Sequence, residues 1–457
     1  MNRKFQLTFL MATLFFRCSV SGQVPSPTVS PDAPEDVEIP VGFAGDPVAF
    51  FDDFSWRSFV ALNWPAAEGK RGLPDRNKDL GQSSKDIVWG TWKADHEIFQ
   101  PGGLKPSPWD AFEGISPDKF TSFADAGRIK VLGGFGRQAS DLQIEHFNQA
   151  GPVGNKQGSL VSRNRRYVTY EIRINRPEFE FIRDNDFYLA ANLPTTGQLT
   201  FPIGSGEIKA AWRMFTDSEL QDAELLKRYF TSKAIVVDPD GSRKATTVGL
   251  VGLHIVRRTT SRREWIWSSF EHIDNLSGAK STLLPSTDPS GQNVLRPAVD
   301  SGNPPQDDPD PVPVKRLQPV RGSTALTNEA YHSHAKIKGT VWENYQLVLT
   351  QWPRTPAQNE QEFIQNFSQD YPSGAGNPSP TDAAGVSIAN VTMETTGAFQ
   401  QSFSCMRCHF NAGKFHHTEF VWTLPLRAWR ADPDESTRAV RALRNRLQTF
   451  MESTQPE

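Results

Sequence analysis

Two of the three cysteines in this 457-residue chain, Cys405 and Cys408, lie three positions apart, and His409 follows the second directly. C-x-x-C-H is the pattern to which c-type haem is attached. On a helix, positions i, i+3 and i+4 share a face, so both thiols can bond the porphyrin vinyl groups while the imidazole turns toward iron. Three other chemistries compete for the same residues. A dithiol redox site explains the cysteines, but no thioredoxin-like βαβ pattern surrounds them and His409 is left without a role. A structural zinc could add His416 or His417, because two thiolates and two imidazoles complete a tetrahedron. A local disulfide is the simplest alternative.

Around a helix, Phe399, Phe403, Met406 and Phe410 form one stripe, and the Cys405, Cys408 and His409 group centres about 145° away. The pattern predicts a helix held between haem on one side and protein core on the other. Thr395 or Thr396 can cap its start and Gly413 can close its end.

If iron is held by His409, the sixth position separates electron carriage from chemistry at an open site. Three residues are candidate distal ligands: His272, Met393 and His254. A hairpin closed by RTTSRRE with Arg258 opposite Glu264 would set His254 opposite Ser268 and His272 opposite Leu250. The two imidazoles would then share a face about 13 Å apart, with Glu271 on the other face. Met451, the only methionine after the motif, belongs to a C-terminal helix whose Val440, Leu443, Leu447 and Phe450 mark a packing stripe. His416 and His417 follow His409 so closely that the chain between them would be taut around a porphyrin edge. His332 and His334 flank a proline-rich span and read as exposed.

The elements that must position these residues are of mixed type. DPVAFFDDFSWRSFVALNW predicts a packed helix, with Asp46 as cap, Pro47 at the first helical position and Phe51, Phe54, Ser55, Ser58, Phe59 and Leu62 at helical spacing. Strands are predicted at RYVTYEIRI, DFYLAANL, GEIKAAWRMF, TTVGLVGLHIVRR and EWIWSSFEHI. The fold class expected is α+β: a mostly antiparallel β core, peripheral helices, long proline-rich loops and haem on a C-terminal helix. Residues 281–322 and 353–386 are too proline-rich for regular elements. They would lie within a β-rich body spanning 46–390, followed by a haem-attachment region and C-terminal helix at 391–457.

Arg3 and Lys4, the apolar run from Gln6 to Phe16 and the small residues Val20-Ser21-Gly22 read as a signal peptide over residues 1–22, with a flexible lead-in over 23–45. The apolar run is too short to cross a bilayer, so no transmembrane segment is expected in the mature chain. Cys18 could serve as a lipid anchor, although Arg17 before it fits that role poorly. Cleavage near Gly22 leaves Cys405 and Cys408 as the only thiols, which excludes a long-range disulfide framework.

Lys and Arg total 49 against 52 acidic residues, a balance that argues against nucleic acid as a partner. FPIGSGE lacks the strand-to-helix context of a dinucleotide-binding loop, and neither H-E-x-x-H nor G-x-S-x-G occurs. RAVRALRNR reads as a solvated helix face. Twelve tryptophans could form a sugar platform, but burial is their ordinary role.

SFVALNWPA, GEIKAAW, VGLHIVRRTTSRREWIWSSFEHIDN, ENYQLVLTQWP and ANVTMETTGAFQQSFSCMRCH together resemble the large single-haem bacterial proteins of the cytochrome c family. The resemblance spans most of the chain and implies one haem c bound through Cys405, Cys408 and His409, but it implies no substrate. The chain does not resemble a small electron-carrier cytochrome, because only 48 residues follow His409. The function expected is an exported, periplasmic monohaem cytochrome that exchanges electrons with a redox protein or a small-molecule donor or acceptor. A haem-dependent oxidoreductase with an open distal site, peroxidase-like for instance, is the alternative, and a zinc-clipped secreted binding protein the third reading.

Overall fold

The computed structural model describes residues 24–84, 86–112, 162–166, 168–237, 243–277, 318–367 and 405–431. Shorter stretches are 130–132, 281–283, 383–384 and 390–393, with single residues 160, 314 and 316. The signal-peptide reading, Cys18, the proposed cap at Thr395 or Thr396, Phe399, Phe403 and the C-terminal helix carrying Met451 lie outside the described residues.

Helix α1 (Val48–Leu62) forms where the aromatic spacing predicts it, and Phe51, Phe54, Ser55, Ser58, Phe59 and Leu62 are all buried. It begins one residue later than expected: Pro47 takes the cap position, and the Asp46 carboxylate accepts from the Val48 amide at 3.2 Å. The strands that follow are β1 (Lys93–Ala94), β2 (Lys130–Leu132) and β3 (Val168–Ile174). After helix α2 (Arg176–Asp184) come β4 (Gly206–Met214), β5 (Thr231–Val237), β6 (Arg243–Arg257) and β7 (Ile266–His272). Helix α3 (Gly322–Ser333), β8 (Tyr345–Pro353), helix α4 (Glu360–Asn366) and β9 (Ala383–Ala384) lead to helix α5 (Cys405–His416) and helix α6 (Thr423–Arg427).

The strands make one sheet in the order β1-β3-β4-β6-β7-β8-β9, with β5 on the first half of β6 and β2 beyond it. Every pairing is antiparallel except β2 with β5, and the chain is α+β.

Opposed residues of an antiparallel pair share a face, so the registers define two surfaces. One is covered by α1 and α3. The Ser55 hydroxyl lies 2.7 Å from that of Ser268 and 2.8 Å from that of Thr350, and Trp56 meets Phe270 edge-on at 5.2 Å. Trp56 also stacks on Tyr331 of α3 at 4.9 Å. The opposite surface carries Tyr170, Lys209, Gly252, His254, Trp267, Ser269 and Gln351, and the C-terminal segments lie on it. Eleven of the twelve tryptophans are buried, which assigns them to packing instead of a sugar platform.

Four expectations are corrected. DFYLAANL is not a strand. Asn175 caps α2 by accepting from the Glu178 amide, Asp186 leaves the helix at φ 55°, and Ala190–Asn192 forms a 3-10 turn. Residues 353–386 are not wholly irregular, because Asn359 accepts from the Glu362 amide at 2.9 Å and starts α4. The part of the 23–45 lead-in that is described has no regular element but is tied down. Arg257 donates to the Pro34 carbonyl at 2.6 Å, and Asp36 accepts from the Ser261 amide and hydroxyl at 2.8 and 2.6 Å.

The fourth correction concerns register. His254 lies opposite Ser269, not Ser268, and Gly252 lies opposite Glu271. A one-residue slip exchanges faces, so His254 and His272 point to opposite sides, and Glu271 shares the face of His254. The charges used to set the expected pair act elsewhere: Arg258 donates to both Glu360 oxygens at 3.0 and 2.8 Å, and Glu264 accepts from the Ala357 amide at 2.8 Å. Among the described residues, no helix is long and apolar enough to cross a membrane.

Candidate functional site

Helix α5 starts at Cys405, so the backbone sets positions 405, 408 and 409 on one helical face. The Cys405 amide donates to the Gln351 side-chain oxygen at 2.8 Å, fixing the helix start to β8, and Cys405 is buried. Met406 and Phe410 are buried as the aromatic stripe predicts, with Phe410 stacked on Phe367 of the α4 segment at 4.9 Å. The expected division between a core side and a haem side is not what is found around His409, whose ring packs on Trp267 of the sheet at 4.4 Å.

Gly413 does not close the helix. The helix continues through it to His416, and His417 takes the left-handed conformation at φ 61°, with its amide bonded to the Gly413 carbonyl at 2.9 Å. Glycine is needed at 413 for proximity: a Cβ would sit 2.1 Å from a Phe367 ring carbon and 2.6 Å from the Glu419 carbonyl.

The imidazole of His409 is oriented by one bond. Its Nδ1 lies 2.7 Å from the Phe420 carbonyl, so Nδ1 carries the proton and donates, leaving Nε2 as the lone-pair nitrogen. Among the described residues no hydrogen bond reaches Nε2. The ring is partly exposed at its edge yet tightly surrounded. Loss of solvation holds it near a pKa of about 3, opposed by the Phe420 bond and reinforced by the nearby charges of Lys209 and His254. It is a neutral imidazole with an anchored Nδ1, the form that ligates metals.

The other predicted ligands are dispersed. His272 is buried with both nitrogens engaged: Nε2 is 2.9 Å from the Arg228 carbonyl, and Nδ1 accepts from the Asp274 amide at 3.1 Å. Its ring stacks on Tyr229 at 4.1 Å, and burial pushes its pKa down to about 4. Met393 is buried with Leu160, Val168 and Tyr170 in a second apolar cluster. His254 lies mid-strand on β6, opposite Lys209 and Ser269, on the surface that α5 overlies. His332 binds the Tyr345 carbonyl at 2.7 Å beside an open cleft of about 440 Å³ remote from the motif.

For the zinc reading, His417 Nδ1 lies 2.6 Å from the Gly197 carbonyl, and the His416 ring lies 5.7 Å from that of Trp422. Among the described residues no group of three or more His, Cys, Asp or Glu side chains is placed to hold a metal ion. The backbone of α5 brings positions 405, 408 and 409 to one helical face, and of these side chains the described ones are the buried Cys405 thiol and the anchored His409 imidazole.

Sequence reasoning missed Phe420, Trp267, Gln351 and Lys209 as parts of this site. The backbone carbonyl of Phe420 has no sequence signature. Lys209 did leave one, as a cation between Ile208 and Ala210 in the interior of a strand. Comparison of the chain with family models, curated proteins and solved structures found no match.

Proposed function

We propose that this chain is an exported c-type cytochrome that binds one haem covalently through Cys405 and Cys408, with His409 as proximal ligand, and passes single electrons to and from a redox partner. The observation that carries this reading is the 2.7 Å contact between His409 Nδ1 and the Phe420 carbonyl. That bond selects the tautomer and aims the remaining lone pair away from the backbone, the arrangement that second-shell partners give to metal-bound histidines. Bound haem would supply the one-electron chemistry, and the protein would set its potential and access.

The chain's own residues contribute three things. Gln351 holds the amide of Cys405 at the start of the attachment helix. Trp267 limits ring rotation of His409 and keeps water from one side of it. Lys209, within electrostatic range of His409, places positive charge beside the site, which favours the more reduced state.

Expression in a host with haem c maturation machinery, followed by a pyridine haemochrome spectrum, tests the reading. One haem per chain with a two-thioether spectrum is expected. Cys405→Ser or Cys408→Ser should leave a one-thioether spectrum, and the double substitution should lose haem on denaturation. A colourless wild-type chain containing stoichiometric zinc would overturn the proposal.

A further inference from the structure

We propose that Glu419 is a positioning residue for His409, its buried carboxylate locking the reverse turn that presents the Phe420 carbonyl to the imidazole. The inference rests on the haem reading above for the task of His409, and on the turn itself for how the ring is held.

The turn Thr418–Val421 is closed by the Val421 amide, which donates to the Thr418 carbonyl at 2.9 Å, and its central residues are Glu419 and Phe420. The peptide unit that gives this N–H to Thr418 also carries the Phe420 carbonyl, which accepts from His409 Nδ1 at 2.7 Å. One planar group is therefore held at both edges, and whatever fixes the turn fixes the imidazole. Glycine serves such a turn best, because φ is 50° at the first central position, where a side chain is strained, and is not positive at the second. Among the described residues five other than glycine have positive φ, and three of them, Trp265, His417 and Glu419, meet here.

Strain of this kind persists where surrounding contacts over-determine it, and the Glu419 side chain supplies those contacts. It is wholly buried. Its Oε1 accepts from the Phe201 amide at 2.7 Å, its Oε2 accepts from the Trp265 indole at 3.0 Å, and the Arg258 guanidinium lies 3.5 Å away. The backbone is tied to the same neighbouring segment: the His417 carbonyl accepts from the Leu199 amide at 2.8 Å, and the Gln198 side chain donates to the Gly413 carbonyl at 3.2 Å while accepting from the Glu419 amide at 2.6 Å. The Phe420 ring packs near Phe367 at 5.4 Å and Phe410 at 6.1 Å, which holds the ring but leaves the direction of its carbonyl to the turn. A glycine at 419 would relieve the backbone strain and lose both carboxylate bonds, so the two roles of this position can be separated.

The test uses the full chain matured with haem c and carrying isotope-labelled histidine. Pyridine haemochrome first establishes that wild type and variants hold haem. Exchange of the His409 Nδ1 proton, read by nuclear magnetic resonance in the ferrous state, and the reduction potential then report on the bond. Glu419→Gly should keep haem and exchange this proton about tenfold faster, the factor that a typical hydrogen bond contributes. Its potential should move upward, because an imidazole that no longer donates from Nδ1 is a weaker ligand to ferric iron. Glu419→Gln, which keeps the shape and one accepting oxygen, should fall between wild type and Glu419→Gly. Trp265→Phe removes one donor and leaves Glu419 in place; it should move both readouts the same way by a smaller amount, and it carries the test if the glycine variant does not fold. Proton exchange and potential unchanged in haem-bearing Glu419→Gly, or in Trp265→Phe where that variant alone folds, overturn the inference and leave the haem reading standing. A colourless wild type overturns the haem reading. The ring nitrogens of the same labelled chain then decide about Glu419: a fixed Nδ1–H tautomer that is lost in Glu419→Gly supports its role, and one kept in all three variants overturns it.

Discussion

Asp52 lies in the interface between α1 and the sheet, where its carboxylate makes no salt bridge among the described residues and Arg321, paired with Asp46, acts on it only at a distance. It is fully buried and accepts the hydroxyl of Thr350 at 2.7 Å and that of Thr324 at 2.7 Å. Thr350 continues through Ser55 to Ser268, at 2.8 and 2.7 Å, in a line of hydroxyls. Burial is the largest influence on this carboxyl and raises its pKa from 3.8 to about 6 against the two hydroxyl bonds. In the unfolded chain the group ionises at its ordinary value, so between pH 4 and 6 the folded state binds more protons than the unfolded one. The contribution of this group to stability is therefore greatest below about pH 4 and is lost as pH rises through 6. The gap between the two values is worth about 3 kcal/mol, and partial relaxation makes this an upper bound.

Asp52→Asn removes the charge and keeps the shape. The amide oxygen can accept from Thr324, while its NH2 donates to Thr350 once the hydroxyls turn to donate toward Ser268. Urea unfolding of both proteins at pH 4.5 and 7.5 should show the variant gaining about 2 kcal/mol relative to wild type between the two values. Parallel pH dependences of the two proteins would refute the argument that this carboxylate is ionised at the cost of folding.

Gly413→Ala should destabilise by about 1–3 kcal/mol in the same assay, and adding Phe367→Leu should recover only part, because the Glu419 carbonyl also blocks the new methyl. Gly252→Ala should release residues 390–393 from the sheet, read as faster hydrogen exchange there. Thr392→Ala should restore protection, because the hydroxyl is the atom in the way. Glu171 joins Lys130 at 3.0 Å, Arg173 at 2.8 Å and the Trp212 indole at 3.0 Å in a buried network. Glu171→Gln should therefore cost about 3–5 kcal/mol by thermal or denaturant unfolding, since it leaves two buried cations under-compensated.

What could be read from the chain was whatever depends on neighbours in sequence. The α1 stripe from Phe51 to Leu62 and the alternating strand at Val168–Ile174 repeat within one element, and both form as expected. DFYLAANL failed because it follows a helix whose cap is complete in Asn175 and pairs only through a single bridge, from Leu189 to Trp429, instead of extending as a strand. Gly413 was misassigned because a glycine near a helix end reads as a stop, whereas its need for proximity comes from Phe367, 46 positions earlier. The Asn359 cap of α4 was present in the sequence, but the prolines around it dominated the reading. The contact between Arg258 and Glu360 that anchors the helix is non-local.

The candidate site shows the same division within a few ångströms. Its helical half was legible, because a helix relates Cys405, Cys408 and His409 by local geometry. Its sheet half depended on a register, which the hydrophobic pattern and the turn geometry set together. Arg258 pairs with Glu360 and Glu264 accepts from the Ala357 amide, and the β6–β7 pairing lies one residue from the one those two side chains would have set by pairing with each other. That shift separates His272 from His254 and sets His254 on the surface where Trp267 meets His409. A variant such as Arg258→Gln should disturb the surroundings of His409 through the strand, while leaving the helix that carries the thiols intact.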